Sequence, residues 1–254
     1  MPRQWASAEV YGPLTLFVRH GAGWPYYARP TLGHPGPVTA ADIAAMRERQ
    51  RSRGLPEALE WVLETSPSVD AGAVQAGLSV LRCPLLVLAE PPGVLAPGGA
   101  TVSVLGPDEP ELGAAEAVAA VGFGQPGTAG GPAGPRERDE AAGRVGPERL
   151  GDLRRRLRTG QLVQAVARDA AGPVAVGSYQ HAEGVAEIVG VATLPSARRR
   201  GLAAGVTAAL ARHAVGAGIG TVFLSAGDDT VARVYERVGF RRVATAGIAE
   251  PPRS

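Results

Sequence analysis

The chain contains no lysine and no asparagine, so all 26 of its Lys+Arg positions are arginine. A Schiff-base lysine and the lysine of a phosphate-binding P-loop are therefore excluded, and no lysine side chain of the chain's own is open to acylation. Cysteine is nearly absent as well. Cys83 stands alone in the apolar setting Cys83-Pro84-Leu85-Leu86-Val87-Leu88, which rules out an internal disulfide and reads as a buried thiol in a reducing compartment. No apolar run reaches the length of a membrane span, and the opening Met1-Pro2-Arg3-Gln4-Trp5 lacks the apolar segment of a signal peptide. The expectation is a cytoplasmic protein with no membrane partner. Net charge is only +2 despite a pI of 9.0, without the clustered basic stripe that nucleic acid requires, so no nucleic-acid partner is expected. No metal is expected either.

What is present is enough to build on. With 254 residues and 45% hydrophobic content the chain can bury a real core, and the length suits two modest domains. The first reads as a small α/β unit. A strand at Leu14 to Arg19 leads to a Gly-rich turn at Gly21 to Gly23 and an extended stretch through Tyr27. Thr39 then caps a helix with Asp42 three residues on, and Gly54 ends it. Ala58 to Glu64 reads as a strand, Val69 to Ala76 as a short helix, and Ser79 to Leu88 as a strongly apolar strand. The Pro- and Gly-rich run Glu90 to Gly99 is the linker candidate, giving domains at 1–97 and 100–249.

In the second domain a strand at Thr101 to Leu105 precedes an Ala-rich helix from Glu111 to Val121. Gly122 to Gly146 is Gly, Pro and charge without apolar period and reads as a mobile surface loop. Strands at Leu162 to Arg168, Val174 to Tyr179 and Val185 to Leu194, joined by short turns, form an antiparallel meander. A helix from Gly201 to Val215, a strand at Thr221 to Ser225, a helix at Thr230 to Val238 and a strand at Arg242 to Ile248 follow. The order β-β-β-α-β-α-β implies an α/β fold with a mixed sheet and flanking helices.

The most informative stretch is Arg198-Arg199-Arg200-Gly201-Leu202-Ala203, set between an apolar strand and an amphipathic helix. A strand-to-helix turn exposes unpaired backbone N–H groups at the positive end of the helix dipole, which suits a pyrophosphate. A plain solvated basic turn is the alternative. Downstream, Tyr235-Glu236-Arg237-Val238-Gly239-Phe240 closes the last helix.

These two blocks resemble the GNAT superfamily, whose acyl-CoA loop has the form Gln/Arg-x-x-Gly-x-Gly/Ala, matched by Arg198, Gly201 and Ala203, and whose last helix ends in Tyr-x-x-x-Gly-Phe. The resemblance implies a GNAT acyltransferase fold and acetyl-CoA as acyl donor. It implies that the backbone of Val191, Ala192 and Thr193 pairs with the pantetheine arm and that the N–H groups of Arg199, Arg200, Gly201, Leu202, Ala203 and Ala204 hold the pyrophosphate, with the Arg198 side chain adding charge. Tyr235 then sits by the CoA sulfur as general acid, a role suited to a phenol. Asp228 stands where the family often has asparagine; a carboxylate removes two donors and adds charge, which puts a cofactor contact there in question. Glu187, in Ala186-Glu187-Ile188-Val189, resembles the stretch that carries the base in histone-acetyltransferase-like members. A carboxylate in a partly apolar cleft takes a proton more readily near neutrality. Alternation puts Ala186 and Ile188 on one face and Glu187 and Val189 on the other without saying which faces the cleft. His181 is a weaker base candidate, and His213 is assigned no function.

Residues 1–97 echo the same topology but have Thr31 to Val38 where a CoA loop would stand, and so resemble a degenerate, non-catalytic GNAT copy. Such a unit is expected to cover a sheet edge, shape the acceptor pocket or support a homodimer. The expected activity is N-acetylation of a primary amine by direct attack, Glu187 acting as base and Tyr235 as acid. A non-catalytic acyl-CoA-binding module is the rival reading. The amine acceptor is not legible, because the segment 107–160 mixes acidic and basic clusters.

Overall fold

In the computed structural model, which describes residues 6–20, 25–93, 95, 98–125 and 127–252, the chain divides into two compact units, Met1–Leu85 with Val243–Ser254 and Leu86–Arg242. The expected turn at Gly21 to Gly23 lies outside the described residues, as do positions 94, 96 and 97 of the linker candidate. The division falls inside one strand near residue 85, upstream of the Pro- and Gly-rich run. The return of the C-terminus to the first unit left no mark in the sequence, because the last strand is uninterrupted.

The first unit begins with a hairpin, β1 (Ala6–Tyr11) and β2 (Leu14–Arg19), whose register closes at Tyr11↔Leu14 over a two-residue turn with Gly12 at φ +56°. The sequence reading had no strand before Leu14. β3 (Arg29–Pro30) pairs antiparallel with β2. α1 (Ala40–Ser52) starts as expected: the Thr39 N–H donates to Asp42 Oδ2 at 2.9 Å and the Asp42 N–H donates to Thr39 Oγ1 at 3.2 Å. β4 (Leu59–Val62), α2 (Ser68–Gln75) and β5 (Ser79–Leu88) follow. Leu14, Leu16, Ile43, Met46, Leu59, Trp61 and Val69 form the core of this unit.

The second unit adds β6 (Thr101–Val104), α3 (Leu112–Phe123), α4 (Pro135–Ala142), α5 (Pro147–Arg158), β7 (Val163–Asp169), β8 (Gly172–Ala182), β9 (Val185–Thr193), α6 (Leu202–Gly216), β10 (Thr221–Ser225), α7 (Asp229–Glu236) and β11 (Phe240–Glu250). In the first unit, the end of β11 pairs antiparallel with β4, Gly247 lying opposite Trp61. The segment expected to be a mobile loop holds α4 instead. Its charge hides a short helix: the Gly134 N–H donates to Glu137 Oε2 at 2.7 Å, and the one buried side chain is Arg138, whose guanidinium donates to the Pro173 carbonyl at 2.7 Å. α5 received no assignment from sequence, although Leu150, Leu153 and Leu157 recur at helical spacing and all join the core.

The sheet of the second unit is mixed. β6, β7, β8 and β9 pair antiparallel in sequence, and β10 pairs parallel with β9. Small residues set how closely the helices approach it. A Cβ at Gly177 would meet Val206 Cγ1 at 2.9 Å, Val191 Cγ2 at 3.1 Å and Leu210 Cδ1 at 3.2 Å, so α6 lies directly on β8 and β9. A Cβ at Gly122 would meet Ala192 Cβ at 3.0 Å and Thr193 O at 3.2 Å, which seats the end of α3 on β9. Val191 and Ala192 are adjacent in the strand, so α6 and α3 cover opposite faces. Among the described residues no helix is long and apolar enough to cross a membrane.

The substitution Gly177→Val forces α6 off the sheet and is expected to cost about 1–3 kcal/mol of stability, measured as a lower midpoint in urea unfolding at unchanged slope.

Candidate functional site

The parallel pair β9 and β10 is joined only at its start. Val185, Ala186 and Glu187 pair with Thr221, Val222 and Phe223, whereas β9 runs on to Thr193 with no further β10 partner in that register. The two strands therefore part at their C-terminal ends, where open α/β sheets take their ligands. A bulge accompanies the parting. Val176↔Ala192 and Ser178↔Val189 are paired, so Gly190 and Val191 together oppose the single residue Gly177, and Gly190 takes φ +65°. Sequence reasoning passed over Gly190, although an isolated glycine in a Val-Gly-Val strand is a bulge signal. On the freed stretch, Thr193 Oγ1 is buried without a hydrogen-bond partner.

From Thr193 the chain passes through a 3-10 turn at Pro195–Ala197 into the arginine loop. Arg199 has φ +65° and Gly201 φ +77°, two left-handed residues with Arg200 between them. The first helical hydrogen bond of α6 is Gly205 N–H to Gly201 O, so the N–H groups of Leu202, Ala203 and Ala204 have no partner within the helix. Successive N–H groups arranged in this way make an anion-binding concavity at the positive end of a helix.

The three arginines divide the labour. The Arg198 guanidinium donates to Gly122 O at 2.9 Å at the end of α3 and to Gln125 O at 2.5 Å and Ala129 O at 2.9 Å in the segment after it, so its charge is committed there. Arg200 binds Asp169 Oδ2 at 2.8 Å and the carbonyls of Gly98 and Gly99 at 3.3 and 3.5 Å. Burial tends to raise the Asp169 carboxyl, but the Arg200 guanidinium, the Ala171 N–H and the nearby Arg138 hold it below the usual carboxylate range. Asp169 and Arg138 were not singled out from sequence; only the spatial meeting of the β7–β8 turn with the loop reveals them. Arg199 is exposed and, among the described residues, makes no ion pair or hydrogen bond.

Glu187 is half-buried on β9, directly between Gln180 of β8 and Phe223 of β10. Cross-strand partners share a face. Ile188 pairs with Tyr179, whose hydroxyl meets His213 Nδ1 of α6 at 2.9 Å, so Ala186 and Ile188 face α6 and Glu187 faces the α3 side. His181 pairs with Ala186 and therefore lies on the face opposite Glu187, its Nε2 at 3.0 Å from Gly160 O. Tyr235 is buried on α7, edge-on to Phe240 at 6.4 Å, and burial pushes its phenol up to about 12. Asp228 caps α7, accepting the Val231 N–H at 2.8 Å. Asparagine and aspartate serve equally as N-caps.

A family model described as FR47-like protein matches residues 173–247, the stretch from β8 to β11. Among solved structures, a GCN5-related N-acetyltransferase from Kribbella flavida is 26% identical, with a TM-score of 0.68 over 99% of this chain and 91% of that one. A GCN5-related N-acetyltransferase from Sphaerobacter thermophilus is 18% identical, with a TM-score of 0.58 over 97% and 82%. A tandem GNAT protein from the clavulanic acid biosynthesis pathway is 16% identical, with a TM-score of 0.55 over 95% and 80%. No curated protein matches the chain.

The phenol of Tyr235 gives a direct measure of how dry its surroundings are. Its pKa is raised from 10.0 to about 12 on folding, so above pH 10 the unfolded state releases this proton first and stability falls as pH rises towards 12. Phenolate absorbance is expected to show this late-titrating tyrosine in the native protein and to lose it in Tyr235→Phe.

Proposed function

Because the chain belongs to the GNAT superfamily, we propose that it transfers an acetyl group from acetyl-CoA to a primary amine by direct attack, with both substrates bound together. The observation that supports this reading best is the continuity of the freed edge of β9 with the left-handed loop before α6. An extended pantetheine arm needs strand backbone without a neighbour on one side, here Val191 to Thr193, which among the described residues has no β10 partner and whose Thr193 carbonyl meets only Arg198 Nε, at 3.4 Å. A pyrophosphate needs converging N–H groups, here those of Arg199 to Ala204. The orphaned Thr193 hydroxyl and the free Arg199 fit the same ligand. Arg198 and Arg200 act by holding the loop, and Asp228 by starting α7.

In the transfer the amine nitrogen attacks the thioester carbonyl carbon and the C–S bond breaks. The nitrogen enters as an ammonium and gives up two protons in all. Glu187 takes the first, freeing the lone pair, and the second goes to sulfur as it departs. A phenol pushed up to about 12 stays protonated at neutral pH. Outright transfer of that proton to a thiolate, whose thiol titrates near ~8.5, runs uphill. Tyr235 therefore contributes a hydrogen bond to the sulfur while its charge develops.

The catalytic work belongs to the unit Leu86–Arg242 in this reading. The other unit, with a plain turn between Thr31 and Val38 in place of the arginine loop, is an accessory, non-catalytic element. The setting is cytoplasmic, the partners are acetyl-CoA and an amine, and a homodimer is compatible with the reading.

Initial-rate kinetics against both substrates are expected to give intersecting lines, and parallel lines would show a covalent intermediate and contradict direct attack. Glu187→Gln is expected to lower kcat by about 10²-fold or more at unchanged acetyl-CoA affinity. Unchanged kcat would remove Glu187 as the base.

A further inference from the structure

On the sheet face that carries Glu187 the cross-strand rows change character at the Gly190 bulge. The row Val166–Val176–Ala192 is fully buried, Ala192 lying against α3. The next row is Gln164–Ser178–Val189, and the one after it contains Gln180, Glu187 and Phe223. Polar side chains thus begin one row beyond Ala192, the residue on which Gly122 of α3 rests. Gln164 is the anomaly among them. It is only 3% exposed, its Nε2 lies at a long 3.4 Å from Ser178 Oγ, and its Oε1 is buried with no partner. Of the partnerless buried atoms among the described residues, this one lies on a strand face shared with Glu187. A carbonyl oxygen can only accept, so what is missing beside it is a donor.

We infer that Gln164 Oε1 receives a hydrogen bond from the acceptor molecule and selects amines that carry a second N–H or O–H group. The inference rests on the transferase reading, with the nitrogen to be acetylated at Glu187. Gln164 lies two strands across and two residues along from Glu187, roughly 12 Å between backbones. Both side chains rise from the same face, so the second donor stands on the order of 10 Å from the reacting nitrogen. The acceptor class is an elongated diamine or amino alcohol, and a plain alkylamine leaves the amide oxygen bare. Gln164 is a specificity-determining residue in this account and takes no part in the chemistry.

The test compares four acceptors of matched length: octylamine, diaminooctane, aminooctanol and the methyl ether of aminooctanol, which accepts but cannot donate. Wild-type kcat/KM is expected to favour diaminooctane and aminooctanol over the other two by roughly tenfold. Gln164→Met is expected to erase that preference through KM. Gln164→Glu keeps an acceptor oxygen and is expected to keep the preference for diaminooctane, which guards against a folding defect in the first variant. Equal use of all four amines by the wild type, preference for the ether, or an equal loss on every amine in Gln164→Met overturns the role of Gln164 and leaves the transferase reading standing. A protein that binds acetyl-CoA and acetylates none of them also overturns the inference, which names the diamine as acceptor, whereas a protein that does not bind acetyl-CoA contradicts the transferase reading itself.

Discussion

Arg199 at φ +65° and Gly201 at φ +77° bracket Arg200 immediately before α6, and the site depends on this backbone geometry. A left-handed arginine is unfavourable on its own, and such strain persists only where the surroundings over-determine it. Arg198 supplies one side of that constraint by reaching carbonyls at the end of α3 and in the segment after it, and Arg200 supplies the other by pairing with Asp169 and the carbonyls of Gly98 and Gly99. Between these two anchors the loop has little freedom to collapse onto the helix end. The N–H groups of Leu202, Ala203 and Ala204 are left without a partner within the helix, the arrangement that suits an anion.

The anchors tie the loop to parts of the unit that are distant in sequence. Asp169 sits in the turn between β7 and β8, and Arg138 of α4 fastens the same turn by donating to Pro173 O. Gly122 lets α3 rest on Ala192 and Thr193, the stretch that leads into the loop, and Gly177 lets α6 rest on the other face. Two helices and one turn therefore converge on the segment from Gly190 to Gly201. Glu187 stands three residues before the bulge at Gly190, on the α3 face. Close packing thus holds the loop, while Ser178, Gln180 and Glu187 are only half-buried on the same α3 face.

Much of this was legible in the sequence because the elements are strongly patterned. β2, β5 and β10 run between the same residues that their apolar composition marks, and the Thr39 cap starts α1 where its hydroxyl dictates. What escaped had weak local signals. β1 offers little apolar alternation, with Val10 exposed at 62%. α4 owes its place to a buried arginine that composition reads as solvent-facing. The loop itself was recognisable from Arg198, Gly201 and Ala203, but the separate tasks of its arginines were not, since identical side chains carry no label for the partners they will meet. Likewise the face of Glu187 was undecidable from alternation. It needed the Tyr179–His213 contact to say which side of β9 lies under α6.

The claim at the centre of this account is that the left-handed loop before α6 binds the pyrophosphate of acetyl-CoA. Calorimetric titration of the purified protein with acetyl-CoA, beside a Gly201→Glu variant whose thermal unfolding is checked first, tests it most directly. The substitution strains a position at φ +77° and sets a carboxylate at the mouth of the N–H cluster. Saturable binding by the wild type and none by a folded variant is the expected result. Equal binding by both proteins, or no binding by the wild type, would contradict the account.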